Sequence, residues 1–173
     1  DLARLESGQA RLRLQPVPAS GLLNRVTERF APEASSKGVR LITSAEPDLM
    51  MQGDEDRLLQ LVSNLVSNAL RHTPSGGSIT LSASPALAVG RDAQTQVCLT
   101  VADTGEGIPS EILPRIFDRF VRAADIGSSA DVQPASGVGQ RGRPGFGLGL
   151  AIVREIVALH GGTITVASQV GQG

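Results

Sequence analysis

Aromatic side chains, cysteine and lysine are all scarce in this chain, and each shortage narrows what it can be. The 173 residues include four phenylalanines and neither tyrosine nor tryptophan. The single cysteine, Cys98, excludes an internal disulfide and a cysteine-based metal site. It lies in the alternating run Val97-Cys98-Leu99-Thr100-Val101, where the expectation is a small buried hydrophobe in a reducing compartment. An excess of charge of one sign is also missing: the net charge is -1, so no strong field points to nucleic acid or to an anionic membrane. No apolar run reaches membrane-spanning length, and no signal peptide is visible. The chain opens with Asp1 rather than methionine and is expected to be a piece of something longer. Lys37 is the only lysine, so every other basic side chain apart from histidine is arginine. The planar arginine fork suits phosphate and carboxylate, so local arginine clusters matter more than the net charge.

What is present suffices for one domain with a core. Leu2 and Leu5 at helical spacing, with Gly8 as a stop, read as the end of a helix that begins upstream. Residues 11–17 alternate like a strand, and Ser20 opens a helix carrying Leu22, Leu23, Val26 and Phe30. Residues 39–43 and 50–52 read as short strands. Asp54 is an N-cap for a helix over 55–72, whose Leu58, Leu61, Leu65 and Ala69 share a stripe. Two alternating strands follow, over 78–84 and 96–103. Residues 122–145 are rich in Gly, Ser, Pro and Ala with little apolar periodicity, which predicts a functional lid or a disordered insert. A helix over 147–160 and a strand over 163–168 close the chain. The expected class is α+β: a two-layer sandwich with a mixed sheet of about five strands, covered on one face by about three helices.

Three constellations carry chemistry. Gln60, Asn64 and Asn68 are spaced by four on one helix, so their side chains stack on one face. Carboxamide oxygens are hard ligands suited to Mg²⁺, although a solvated polar stripe would look the same. The second is Asp103-Thr104-Gly105-Glu106-Gly107-Ile108, where a strand ends at a carboxylate. Such a group can accept from an exocyclic amine such as that of adenine, and glycines let backbone approach a flat ring. A tight turn with an Asx cap is the plainer reading. The third is Gly145-Phe146-Gly147-Leu148-Gly149-Leu150, which leads into a helix whose N-terminal N–H groups and dipole suit phosphate. No strand precedes it, which excludes a dinucleotide-binding βαβ unit.

In this order, the chain resembles the catalytic ATP-binding domain of sensor histidine kinases, the Bergerat-type ATPase superfamily that also includes gyrase and MutL. Residues 56–69 look like the family's N box, 103–108 like its G1 box, Ile116-Phe117-Asp118-Arg119-Phe120 like its F box, and 145–149 like its G2 box. The resemblance implies that residues 10–173 form the catalytic domain with a long mobile lid over 122–145. Residues 1–9 would then be the end of the dimerisation hairpin and its linker. It implies ATP and Mg²⁺ as ligands, with Asn64 and Asn68 on the metal and Arg122 reaching the terminal phosphate, helped by Arg141 or Arg143. Arg71 would contact phosphate, His72 would lie against the nucleotide, and Asp103 would bind the adenine amine. Gly105, Gly107, Ile108, Phe120, Gly145, Gly147, Leu148, Gly149 and Leu150 complete the implied nucleotide site. Phe117, Phe120 and Phe146 would latch the ends of the lid.

His72 and His160 are the only histidines, and neither lies in the context of a phosphoacceptor box. His160 precedes Gly161-Gly162 at a helix C-terminus, where an imidazole suits the dipole. The acceptor is therefore expected on the upstream hairpin of a homodimeric parent, with this fragment monomeric, a response regulator downstream and no nucleic-acid partner. The implied placement is cytoplasmic, with anchoring of the parent in the bacterial inner membrane left open. ATP-hydrolysing members of the superfamily carry a glutamate four residues before the Mg-binding asparagine. Here that position is Asn64, which cannot serve as a general base. Histidine needs less help as a nucleophile, because neutral imidazole presents a lone pair. The reading is thus a protein-histidine kinase domain. The alternatives are a non-catalytic nucleotide-binding module and a topoisomerase- or chaperone-type ATPase.

Overall fold

A computed structural model describes residues 12–86, 96–118 and 148–171. In chain order the elements are β1 (Gln15–Pro18), α1 (Ala19–Lys37), β2 (Arg40–Ala45), β3 (Met50–Gly53), α2 (Glu55–His72), β4 (Ser78–Ala86) and β5 (Gln96–Asp103). A 3₁₀ turn (Leu113–Arg115) and α3 (Gly149–Leu159) complete them.

Helix α2 is the centre of the architecture, and its start is specified locally. The Asp54 carboxylate accepts the Arg57 N–H (3.2 Å) with one oxygen and the Arg13 N–H (3.0 Å) with the other. Burial of this carboxyl acts to raise its pKa. The two backbone N–H groups and the Arg57 guanidinium outweigh it and hold the group below its ordinary value. Glu55 and Asp56 in the first turn, and Arg71 and His72 in the last, complement the helix dipole. Lys37 adds to the same end of α2 by donating to the Leu70 carbonyl (2.9 Å). An ion pair between Arg25 and Glu55 ties α1 to α2.

Among the described residues five strands form, but they divide between two ladders. β1 and β3 make an antiparallel pair, while the second sheet has the order β2-β4-β5. In that sheet β2 runs parallel to β4, with Leu41 opposite Ile79 and Thr43 opposite Leu81, and β5 runs antiparallel to β4. The sheet is therefore mixed, and the three helices supply the other layer. Val17, Leu22, Leu23, Val62, Leu70, Ile79, Leu81 and Ile156 are almost wholly buried between them. Removing those aliphatic side chains from water is the main force holding the layers together.

Three expectations are corrected. Residues 163–168 join no ladder among the described strands; Ile164 packs against the core, and the segment then turns to meet the loop after β5. Cys98 is exposed rather than buried. β5 alternates, and its inward face is taken by the larger Val97, Leu99 and Val101, which leaves Cys98 on the other side. The strand expected over 11–17 is confined to Gln15–Pro18 within the described part. The expected hairpin end over 1–9 and the lid over 122–145 lie outside the described residues.

Candidate nucleotide-binding site

The candidate site lies where the second half of α2, the end of β5 and the start of α3 converge. Asn64 and Asn68 are half-buried on one face of α2. The Asn64 amide Nδ2 donates to the Gly149 carbonyl (3.3 Å), so this side chain joins α2 to the first residue of α3. With its N–H₂ turned to α3, Oδ1 is the atom left to serve as a ligand. Gln60 departs from the expected trio: its Oε1 accepts from Arg57 Nη1 (3.0 Å).

β5 ends at Asp103, which is half-buried. Its Oδ1 accepts the Gly105 N–H (2.9 Å), an Asx turn that orients the carboxylate and leaves the second oxygen as an acceptor. The plainer turn reading and the ligand reading are therefore compatible. Thr104 fixes the strand end by pairing with Ser78, its N–H donating to the Ser78 carbonyl (3.1 Å) and its Oγ1 accepting the Ser78 N–H (3.0 Å).

The glycines after Asp103 have uses other than an approach to a ring. A Cβ at Gly105 would lie 2.8 Å from the His72 carbonyl oxygen, so the loop sits against the end of α2. Gly107 has φ +75, and a Cβ there would overlap the Gln169 carbonyl oxygen. Ile108, half-buried, donates its N–H to Ser168 Oγ (2.8 Å), and Gly171 donates to the Glu106 carbonyl (2.8 Å). His72 Nδ1 donates to Glu106 Oε1 (2.8 Å), both side chains being well exposed. An open pocket of about 400 Å³ is lined here by Arg71, His72, Thr73, Pro74, Thr104, Gly105, Glu106 and Gly171.

At the other end, a Cβ at Gly149, the first residue of α3, would meet nothing within 4 Å among the described residues. Leu148 and Leu150 flank it, both half-buried. Asp118 of the expected F box accepts from Arg154 Nη1 of α3 (3.2 Å), and Phe117 beside it is half-buried. His160, just past α3, accepts the Asp54 N–H at Nε2 (3.0 Å). Its proton is thereby placed on Nδ1, which donates to the Ile156 carbonyl (2.8 Å). Phe120, Arg122, Arg141, Arg143, Gly145, Phe146 and Gly147 fall outside the described residues.

Among the described residues no group of three or more His, Cys, Asp or Glu could hold a metal. The carboxamide oxygens of Asn64 and Asn68 are hard donors, and Mg²⁺ commonly takes only a few protein oxygens alongside phosphates and waters. Sequence reading missed Arg154 and Ser168, and the contact that Glu106 makes from within the 103–108 motif, because these contacts are all long-range.

A helix face bearing carboxamides, a strand-end carboxylate and a helix that opens on Gly149 follow one another in that order along the chain. Residues 53–173 match the family described as histidine kinase-, DNA gyrase B-, and HSP90-like ATPase, and the chain belongs to that family. Within it the likeness is to sensor kinases. The chain is 38% identical over 174 residues to the sensor protein DivL of Caulobacter vibrioides, covering 100% of this chain and 19% of DivL. It is 37% identical to the adaptive-response sensory kinase SasA of Synechococcus elongatus, covering 99% of this chain and 40% of SasA. The crystal structure of full-length ShkA in complex with AMPPNP superposes with a TM-score of 0.77 at 34% identity, over 98% of this chain and 31% of that one. The chain thus spans between about a fifth and two fifths of these relatives and corresponds to their ATP-binding catalytic domain.

Proposed function

We propose that this domain binds Mg-ATP between α2, the loop after β5 and the start of α3, and donates the γ-phosphoryl group to a histidine on an upstream hairpin domain. The observation that carries the reading is the Asn64–Gly149 bond, which sets the carboxamide face of α2 against the glycine-led start of α3. Oδ1 of Asn64 and of Asn68 would hold Mg²⁺, whose charge would offset that of the phosphates. Arg71 and Arg122 would neutralise phosphate oxygens, and the N–H groups of Gly149 and Leu150 would add the positive end of the α3 dipole. Gly145, Gly147 and Leu148 would complete that end of the site. Asp103 would accept the adenine amine with the oxygen that Gly105 leaves available. His72, Gly105, Gly107, Ile108 and Phe120 would bound the base and ribose.

In the transfer step the lone pair of the acceptor imidazole attacks the γ-phosphorus, and the bond to the β–γ bridging oxygen breaks. ADP leaves with that electron pair, and the phosphoryl group remains on the histidine. Such transfer depends mainly on positioning and charge neutralisation, which the groups above supply. Position 64 offers no carboxylate to activate water, which favours histidine over water as acceptor. A homodimeric parent and a cognate response regulator that takes the phosphoryl group onward follow from this reading, as does a site on the cytoplasmic side.

Incubation with radiolabelled ATP and the parent's hairpin tests it. Acid-labile label on the hairpin, lost with Asn68→Ala, is expected. Label on this chain itself would refute an external acceptor. Tight ATP binding with no label on the hairpin would favour a non-catalytic nucleotide-binding module.

A further inference from the structure

The loop 104–108 is gripped from two directions. On one side stands the end of α2, with the His72 carbonyl against Gly105 and the His72 imidazole on the Glu106 carboxylate. On the other side is the segment after α3. Its Ser168 Oγ accepts the Ile108 N–H (2.8 Å), and its Gly171 N–H donates to the Glu106 carbonyl (2.8 Å). These two bonds bracket Gly107, whose positive φ and missing side chain let Gln169 and Val170 lie directly on the loop. A Cβ at Gly107 would be 2.8 Å from the Val170 Cα. The residue at the far end of the segment, Gly171, lines the same pocket as Arg71, His72 and Gly105.

From this arrangement, and resting on the ATP-site reading above, we infer that Ser168 is a positioning residue for base recognition. It holds the loop after β5 so that Gly105 can orient the Asp103 carboxylate. The coupling is short. Asp103 is aimed by the Gly105 N–H (2.9 Å), and Gly105 lies three residues from Ile108, whose N–H is held by Ser168. Without the hydroxyl, the Ile108 N–H must find water, and Gly105 loses its fixed position relative to Asp103. The groups proposed for phosphate, Arg71 on α2 and the N–H groups at the start of α3, take no part in the two bonds made by Ser168 and Gly171. Ser168 therefore tunes recognition of the base and leaves recognition of phosphate alone.

Ser168→Ala, Ser168→Thr and Gly107→Ala separate this role from a structural one. The measurement is competitive binding of ATP, GTP and inorganic tripolyphosphate, each with Mg²⁺, alongside the thermal midpoint. Ser168→Ala is expected to weaken ATP roughly three- to tenfold, as for loss of one hydrogen bond, and to narrow the ATP-over-GTP preference. Tripolyphosphate affinity should stay within about twofold, within the scatter expected for an uncoupled site. Ser168→Thr keeps an acceptor oxygen and should restore ATP binding, whereas Gly107→Ala should reproduce the selective loss by pushing the segment off the loop. Unchanged ATP binding in Ser168→Ala, while Asp103→Asn weakens it, overturns the inference and spares the site reading. An equal fall for ATP and tripolyphosphate together with a lower midpoint also overturns it, by showing a merely structural role. Failure of the wild-type chain to bind ATP overturns the site reading itself.

Discussion

Replacing Asp54 by alanine removes the acceptor of two backbone N–H groups at once, those of Arg13 and Arg57. Loss of an N-cap side chain costs about 1 kcal/mol. The second bond, between strand and cap, adds about 1 kcal/mol more, since it is a bond to a charged acceptor partly screened by solvent. For a chain of this size the total of roughly 2 kcal/mol lowers the thermal midpoint by roughly 4–8 °C. The cost should depend on pH in a defined direction. The folded-state pKa of Asp54 lies below the ordinary 3.8. Its contribution is thus fully present above about pH 4 and is lost as the pH falls through the folded value, because the unfolded chain takes up the proton first. Urea unfolding of wild type and Asp54→Ala at pH 7, 5, 4 and 3 measures this. The two curves should converge at the acid end. A gap that is the same at pH 3 as at pH 7, or a gap near zero at pH 7, would refute the account of the cap.

Asp103→Asn should cost roughly 1.5–3 kcal/mol in ATP affinity, the worth of a hydrogen bond to a charged acceptor, and should erode adenine selectivity. Calorimetric titration showing unchanged affinity would remove Asp103 from the site. Ser63, on α2, is buried, and its hydroxyl has no hydrogen-bond partner among the described residues. Ser63→Ala should therefore stabilise the fold by about 1 kcal/mol, through relief of desolvation and a better helix propensity. A destabilised variant in denaturant titration would show that the hydroxyl is satisfied after all.

Local patterns carried the sequence reading a long way. The bounds of α2 and β5 came out as expected, because a capping carboxylate starts one and strict alternation runs through the other. The candidate site residues were singled out on a different ground: their spacing and order match a family motif. What the chain does between distant segments was not legible. His160 was expected only to suit a helix end, yet it reaches 106 residues back to accept the N–H of Asp54. Nothing in a window of neighbours encodes that contact. Cys98 was misassigned because alternation fixes that side chains take opposite faces and does not say which face goes in. The segment 163–168 has strand-like composition, but composition supplies no partner, and ladder formation is a tertiary event.

The Asn64–Gly149 bond also restricts what this fold can become. A carboxamide offers N–H to one neighbour and oxygen to another, whereas an ionised glutamate or aspartate is an acceptor on both oxygens. A carboxylate at position 64 would face the Gly149 carbonyl oxygen with no hydrogen between them. It would repel the first residue of α3 or force that helix to begin elsewhere. A general base for water and the present junction of α2 with α3 are therefore alternatives at one position. Asn64→Glu would thus gain a candidate base at the cost of the bond that joins α2 to the first residue of α3.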